Sequence, residues 1–344
     1  MDRSYCTLDD VAKLAKVAKS TASMALRNDT RIAAKTRQRV QEAAQKLGYQ
    51  PDPVMSAFSS RRFRNKPHSV LSNLAVLIDD RWYDFPSLYG KPVWLETMIE
   101  GLNDAAQRMG YSLIPLRLRR DLLAHQKPDR LMEARGIKGI ILTTHINKTM
   151  MTIPLDLKRY SIICAGLFSN ESLAHQVRVD SFAVVDIACR QVSEAGYKRI
   201  GLAHGMSSEL RTGTNWLGSY AKEIFLKRYS SRFIPPHLPV GYPDQAFYDW
   251  IDKYRPDAII TNDTLFFEAI QKKGLRVPED IGVAFINHDF CEIPDVAGIS
   301  QRYDLVGEKT IEQMHFLLQK AERGLPQNPH DILIKPEWVH GRTI

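Results

Sequence analysis

Short apolar runs alternate with amphipathic segments from about residue 69 to the C-terminus, and this alternation restricts the fold more than any other feature. Runs such as NLAVLID (73–79), RIGLAHG (199–205) and IGVAFIN (281–287) are predicted to be buried strands, with helical segments between strands of this kind. Strands and helices in this order form parallel sheets that the helices cover on both faces. We therefore predict an α/β fold built on parallel sheets.

Length and composition limit the class of protein. A chain of 344 residues is too long for one ordinary core, so two or three compact units are expected. No apolar run approaches 18 residues and no N-terminal signal segment is visible, which predicts neither secretion nor membrane insertion. The four cysteines are scattered without a CxxC pair. We expect a cytoplasmic protein without a disulfide framework, metal site or cofactor.

The excess positive charge lies at the N-terminus. Residues 1–66 contain 14 Lys+Arg and 6 Asp+Glu, whereas the remaining residues balance at 33 of each sign. A basic module on a neutral body predicts a polyanionic partner for that module alone. A basic tail that only improves solubility is the alternative, but it does not account for the helical pattern of the segment.

Three short helices are predicted within this basic module. Thr7 and Asp10 are placed to satisfy the free N–H groups of the first helix. A second helix begins at about Ser20, and a third runs from about Ala34 to Leu47 before Gly48. Small apolar residues on their inner faces allow the helices to cross closely. This arrangement is typical of a helix-turn-helix unit.

The segment TLDDVAKLAKVAKSTASMALRNDTRIAAKTRQRVQEAAQKLGYQPDP resembles the DNA-binding head of the lactose-repressor (LacI/GalR) family. The matching landmarks are T-L-x-D-V-A, the S-T-x-S of the second helix, K-T-R-x-x-V and L-G-Y-x-P, all in register. The resemblance implies a helix-turn-helix domain over residues 1–50. It also implies a sequence-specific transcriptional regulator, which we expect to be a repressor acting on double-stranded operator DNA.

Position by position, the resemblance places base-reading residues in the second helix, at Lys19, Ser20 and Met24. A lysine donates to guanine, a serine is a permissive hydrogen-bonding group, and a methionine offers apolar contact such as that to a thymine methyl. Positions that match the family's phosphate contacts are Thr7, Thr21, Ser23, Lys35 and Thr36, and Arg27 and Arg31 are expected to add backbone or base contacts. The chain departs from the family at Ala33, where the third helix usually has a Ser or Thr cap.

Residues 51–68 correspond to the family's hinge helix and linker. The resemblance implies that this segment orders on DNA and contacts the minor groove through Ala57, Phe58 and Arg61, with Phe58 as the wedge between base steps. The alternative is a basic linker that is disordered in every state.

The rest of the chain, residues 69–344, resembles the effector-binding and dimerisation core of the same family, which has a periplasmic-binding-protein-like fold. The landmarks are V-x-V-D, A-G-Y-K-R-I-G, R-P-D-A-I-I-T-N-D and V-P-E-D-I-G-V. The resemblance implies two Rossmann-like subdomains with ligand bound between them, at the carboxyl ends of the strands. We place the N-subdomain at about 69–177 and 303–325, the C-subdomain at about 178–302 and 326–344, and the three crossovers near 177–181, 299–303 and 324–330.

Effector contacts are expected on both sides of this cleft. The resemblance and the sequence together nominate Asp79, Trp82, Phe85, Arg211, Asn215, Asn262, Asn287 and His288. Asn215 and Asn287 stand where the family usually has charged residues, which favours a neutral polyol such as a sugar. Trp82, Tyr83 and Phe85 either form a platform for a sugar ring or pack at a subdomain or dimer interface. The histidines are expected to be hydrogen-bonding groups rather than metal ligands.

Three functions compete at this stage. The first is a homodimeric regulator that binds a pseudo-palindromic operator under the control of a small ligand, most simply a sugar. The second is a sugar-binding protein of the transport-receptor type without sequence-specific DNA binding. The third is a sugar-metabolising enzyme, but GxGxxG, P-loop, GxSxG and HExxH motifs are all missing. We therefore expect a regulator that is not an enzyme, and a dimer rather than a tetramer.

Overall fold

The structure is a computed structural model that describes residues 8–26, 32–47, 49, 72–78, 93–143, 154–166, 173–241 and 243–344, with the side chains of Ser23 and Arg119 excepted. The predicted α/β class is confirmed, with a helical head and two parallel-sheet units. In the part of the chain that the structure describes, none of the helices is both long and apolar enough to span a bilayer.

Three helices form the head: α1 (Leu8–Leu14), α2 (Lys19–Leu26) and α3 (Ala34–Lys46). Their shared core contains mainly alanine and valine, so the helix axes approach closely; its buried members are Val11, Ala12, Ala15, Ala22, Ala25, Val40, Ala43 and Ala44. Asp9 and Asp10 lie in the first turn of α1, where the helix dipole favours negative charge. Ala33 precedes α3 without a side-chain cap, as the sequence indicates.

The first sheet has six parallel strands in the order β11-β5-β4-β3-β1-β2. Its strands are β1 (Ser72–Ile78), β2 (Tyr111–Arg117), β3 (Ile137–Thr143), β4 (Ser161–Ala165), β5 (His175–Val179) and β11 (Asp331–Ile334). Helices α4 (Val93–Met109) and α5 (Pro128–Ala134) belong to this half, and a short π-helix (Leu118–Leu123) follows β2. The central strands are buried almost throughout, as expected for a sheet covered on both faces.

The second sheet has the order β12-β10-β9-β8-β6-β7, and its strands are parallel except for β12. Its strands are β6 (Arg199–Leu202), β7 (Arg232–Phe233), β8 (Ala258–Thr261), β9 (Gly282–Phe285), β10 (Ala297–Ser300) and β12 (Glu337–Val339). The helices of this half are α6 (Ser181–Glu194), α7 (Met206–Arg211), α8 (Asn215–Leu226), α9 (Gln245–Tyr254) and α10 (Thr264–Lys272). The last helix, α11 (Tyr303–Lys320), returns to pack on α4 of the first half.

The chain passes between the sheets after β5, after β10 and between β11 and β12. The third passage corrects the sequence prediction, which put the last crossover near 324–330 and assigned residues from 326 to the C-subdomain. Residues Asp331–Ile334 instead pair in parallel register with β5, so the chain leaves the first sheet only after Ile334. The first and third passages are joined, because the N–H of Asp180 donates to the carbonyl oxygen of Ile334 at 3.0 Å.

Two glycines bring α4 and α11 into backbone contact. A Cβ atom at Gly307 would lie 2.2 Å from the carbonyl oxygen of Met98, and one at Gly101 would lie 2.1 Å from the carbonyl oxygen of Asp304. No side chain fits between the helices at these two points. The pair therefore forms a close helix crossing that covers one face of the first sheet.

Candidate functional site

The outer face of α2 presents the three base-reading residues that the sequence predicts. Lys19 and Ser20 are exposed and Met24 is half-buried, whereas Ala22 and Ala25 point into the head core. Ser20 and Met24 share a face because residues four apart lie one turn above each other. Thr21 and Thr36 are half-buried and Lys35 is exposed at the start of α3. The outer face of α2 is therefore a small, mostly uncharged surface with one lysine. The major groove of B-DNA is wide enough to admit a helix of this kind.

Several predicted site residues lie outside the described residues. They are Thr7, Arg27, Arg31, Ala57, Phe58, Arg61, Asp79, Trp82, Tyr83 and Phe85. Ser23 lies in α2, within the described backbone.

The predicted effector residues of the second half gather where parallel strands end. Asn262 follows β8, and Asn287 and His288 follow β9, so neighbouring strands bring them to one edge of the sheet. Asp263 caps α10 by accepting the N–H of Leu265 at 2.9 Å, which fixes the strand-to-helix turn beside Asn262.

Gln301, which follows β10, joins these turns together. Its side-chain amide donates to the carbonyl oxygen of Ile286 at 2.7 Å and to Oδ1 of Asn287. Asn287 in turn donates to the carbonyl oxygen of Asn262 at 3.4 Å. Sequence reasoning missed Gln301, and the only available signal was its position directly after a predicted buried strand.

Two polar atoms at this edge are buried without a hydrogen-bond partner among the described residues: Oδ1 of Asn262 and Nδ1 of His288. The ring nitrogen of His288 lies 3.7 Å from Oδ1 of Asp289, too far for a good hydrogen bond. Burying a polar group without a partner costs free energy, so such atoms call for an explanation. An amide oxygen and an imidazole nitrogen at one sheet edge match the hydroxyl groups of a polyol, which both donate and accept.

Arg211 and Asn215 lie at the end of α7 and the start of α8. Arg211 donates to Oγ of Ser208 at 2.8 Å, and Asn215 donates from its amide to the carbonyl oxygen of Thr212 at 2.6 Å. Desolvation lowers the pKa of Arg211 from its ordinary value.

Tyr303 connects the polar strand-end edge of the second half to α4 of the first half. It is buried at the start of α11, its ring lies 5.7 Å from that of Trp94 in α4, and it lies 5.5 Å from that of Phe290. Its hydroxyl donates to Oε1 of Gln301 at 3.3 Å. Burial raises the pKa of Tyr303 far above its ordinary value, so the hydroxyl stays protonated and remains a donor. The sequence analysis did not identify Tyr303.

A helix-turn-helix head on a core of two parallel sheets, with a polar edge at the strand ends, defines a DNA-binding regulator with a ligand-binding core. The model of the bacterial regulatory proteins of the lacI family matches residues 7–52, and that of the periplasmic binding protein-like domain matches residues 189–344. The chain therefore joins a lacI-family helix-turn-helix domain to a periplasmic-binding-protein-like domain, as the bacterial repressors that it resembles do.

Full-length relatives agree with this assignment. The chain is 26% identical over 322 residues to the HTH-type transcriptional repressor CytR of Escherichia coli (strain K12), an alignment that covers 87% of this chain and 86% of CytR. It is also 26% identical over 355 residues to the sucrose operon repressor of Escherichia coli, covering 96% and 98%. Both relatives are repressors by name.

Solved structures support the fold over the whole chain. The lac repressor dimer bound to operator and the anti-inducer ONPF superposes with a TM-score of 0.54 at 18% identity, covering 99% of each chain. The complex of the transcriptional regulator CelR with cellobiose superposes with a TM-score of 0.59 at 16% identity, covering 98% of this chain and 99% of that one.

Proposed function

We propose that this protein is a homodimeric repressor that binds a pseudo-palindromic operator, and that a neutral sugar bound at the strand-end edge of the core changes its operator affinity. The observation that carries the effector part is the unsatisfied pair of buried atoms, Oδ1 of Asn262 and Nδ1 of His288, in an edge where amides dominate. Neutral hydroxyl groups satisfy both an acceptor and an imidazole without bringing a charge into the cleft.

The names of relatives support a sugar. One is a sucrose operon repressor, and one structural neighbour is CelR bound to cellobiose. Arg211 and Asn215 on one side, and Asn262, Asn287 and His288 on the other, are the residues that we propose contact the ligand. The sugar shifts operator binding only as far as its affinities for the DNA-bound and free states differ.

For the DNA, we propose that Lys19, Ser20 and Met24 read bases in the major groove, while Thr21, Lys35 and Thr36 contact phosphates. Lys19, Ser20 and Lys35 are exposed and the other three are half-buried, so each keeps surface open to DNA, which supports these roles. The excess charge of the N-terminal segment adds salt-dependent, sequence-independent attraction. Two heads in a dimer then read two half-sites. Function on DNA places the protein in the bacterial cytoplasm with the nucleoid.

The first experiment selects fragments of genomic DNA on the purified protein at two salt concentrations and sequences them. We expect enrichment of a pseudo-palindrome that persists at the higher salt, whereas phosphate contacts alone give binding that is blind to sequence and lost with salt. Lys19→Ala should weaken binding to the enriched sequence by about 1–3 kcal/mol. Lys13→Ala is the matched control, because Lys13 is an exposed lysine on α1 that pairs with Asp9 at 3.0 Å.

The second experiment titrates the protein–operator complex with sucrose, cellobiose, galactose and other simple sugars. At least one should change operator affinity at millimolar concentration or below, and Asn262→Ala should weaken that response with little effect on operator binding itself. Recovery of the unchanged sugar after incubation is expected from a binding protein that performs no chemistry. If no sequence is enriched in the presence of any sugar, the regulator proposal is contradicted. If the operator affinity does not change with any sugar, the sugar effector is contradicted.

A further inference from the structure

The turn between α7 and α8 (residues 212–214) separates two of the proposed effector contacts, Arg211 and Asn215, and it has an unusual backbone. Gly213 and Thr214 are consecutive residues in the left-handed region, with φ of 64° and 61°. Glycine adopts this region without penalty, but a β-branched residue rarely does. A turn of this shape persists only when its surroundings fix it.

Glu209 accepts several of the hydrogen bonds that fix the turn and the helix start after it. Its carbonyl oxygen accepts the N–H groups of Thr212 and Thr214, each at 3.1 Å, and the hydroxyl of Thr212 at 2.9 Å. Its side chain reaches across the turn, where Oε1 accepts the N–H of Leu217 at 2.9 Å. Leu217 is in the first turn of α8, where N–H groups have no partner within the helix. One residue therefore holds the end of α7, the turn and the start of α8.

The carboxyl group of Glu209 lies against the ring of His204, although neither Nε2 nor Oε2 completes a hydrogen bond of good geometry. Both side chains are fully buried, and Nε2 of His204 lies 3.0 Å from Oε2 of Glu209. The other ring nitrogen, Nδ1, lies 3.2 Å from the carbonyl oxygen of Gly205. The ring also packs edge-on against Trp216 of α8, with centroids 5.3 Å apart. The pair thus connects the end of β6 to the start of α8 in a part of the core that an apolar pair would fill at lower cost.

We propose that Glu209, which lies against His204, is a positioning residue of the effector site. It touches no ligand, but it fixes the spacing and direction of Arg211 and Asn215 and so sets the affinity for effector. The effector half of this inference rests on the proposed function, whereas the structural half concerns the turn alone. The two halves have separate measurements.

The turn is tested by amide hydrogen exchange on the full chain with three variants. Glu209→Leu removes the acceptor for Leu217 at similar side-chain volume, and Glu209→Gln keeps an acceptor oxygen. Glu223→Leu is the matched control, because Glu223 is a second buried carboxylate that lies at the other end of α8 and pairs with Arg228. We expect exchange at 212–217 to rise by about tenfold or more in Glu209→Leu and to stay near the wild-type rate in the other two. Equal rises in Glu209→Leu and Glu223→Leu would overturn the proposal.

The wild-type protein gives a second measurement that does not depend on whether Glu209→Leu folds. The amide of Leu217 should exchange at least about a hundredfold more slowly than a solvent-exposed amide, although it stands at a helix start. Rapid exchange at this amide would show that Glu209 does not hold the turn.

The effector half is tested with sucrose and cellobiose as probes, on the operator recovered by selection. For the sugar that releases or tightens the wild-type complex, Glu209→Leu should raise the half-effect concentration about tenfold, while operator affinity without sugar changes less than threefold. Glu209→Gln should restore the response. A loss of operator affinity equal to the loss of sugar response would mark a merely structural role. If neither of these nor any other sugar of the panel acts on the wild type, the sugar effector is refuted with the effector half, and the exchange result still decides the turn.

Discussion

The crossing of α4 and α11 predicts opposite effects for the same substitution at two glycines. In Gly307→Ala, the new methyl group would lie 2.2 Å from the carbonyl oxygen of Met98 and 2.6 Å from the backbone nitrogen of Leu102. Backbone atoms have no alternative rotamer, so the helices must separate by about 1 Å to restore ordinary contact.

Overpacking of this kind costs typically 1–3 kcal/mol, and the rigid partner places this case at the upper end. Replacing a helical glycine with alanine returns about 1 kcal/mol through helix propensity. We therefore expect Gly307→Ala to lower the free energy of unfolding by about 2 kcal/mol. Gly218 in α8 is the control, because it is exposed and a Cβ there meets nothing within 4 Å. Gly218→Ala should gain about 0.5–1 kcal/mol.

Urea unfolding followed by circular dichroism measures both effects. With a slope of about 3 kcal/mol per molar urea, the midpoint should fall by roughly 0.7 M in Gly307→Ala and rise by roughly 0.2–0.3 M in Gly218→Ala. Midpoints that move in the same direction, or a Gly307→Ala variant as stable as the wild type, would refute the backbone-contact reasoning.

Three further predictions concern other parts of the chain. Burial raises the pKa of Asp186, but hydrogen bonds from Lys222 and Arg228 outweigh this effect and leave the pKa below its ordinary value. The contribution of Asp186 to stability is therefore present above about pH 4 and is lost as the pH falls further. Asp186→Asn should flatten the acid side of a plot of urea midpoint against pH. Thr214→Gly relieves a left-handed β-branched residue and should raise the thermal midpoint by about 2–4 °C; a lower midpoint would contradict the strain. Phe58→Ala should weaken binding to the selected operator far more than to random DNA, and equal losses in a filter-binding assay would exclude a minor-groove wedge.

The head was predictable because its signals are local. The predicted second and third helices begin at about Ser20 and Ala34, close to the observed starts of α2 and α3, and the missing cap at Ala33 follows directly from its side chain. The strand β1 begins only one residue before its predicted start. The prediction is this close because an apolar run bounded by polar residues marks a buried strand. Periodicity and composition suffice for features of this kind.

The polar edge and the α7–α8 turn depend on contacts between distant segments. Nothing in the local sequence pairs His204 with Glu209, and the α7 helix is too short to give a periodic pattern. Gln301 acquires its role only because β9 and β10 are neighbours in the sheet. The last crossover was misplaced for the same reason, since DILI (331–334) does not reveal which of two sheets it joins.

The late return of β11 to the first sheet has a consequence for synthesis on the ribosome. The strands β1 to β5 are all made before residue 180, yet the edge of β5 gains its partner only when residues 331–334 emerge. β10 gains β12 only with residues 337–339. During translation of the intervening segment, the nascent first sheet carries an open strand edge, which is a template for association with other chains. Neither half can therefore finish folding in the order of synthesis, and both are completed nearly together at the end of the chain.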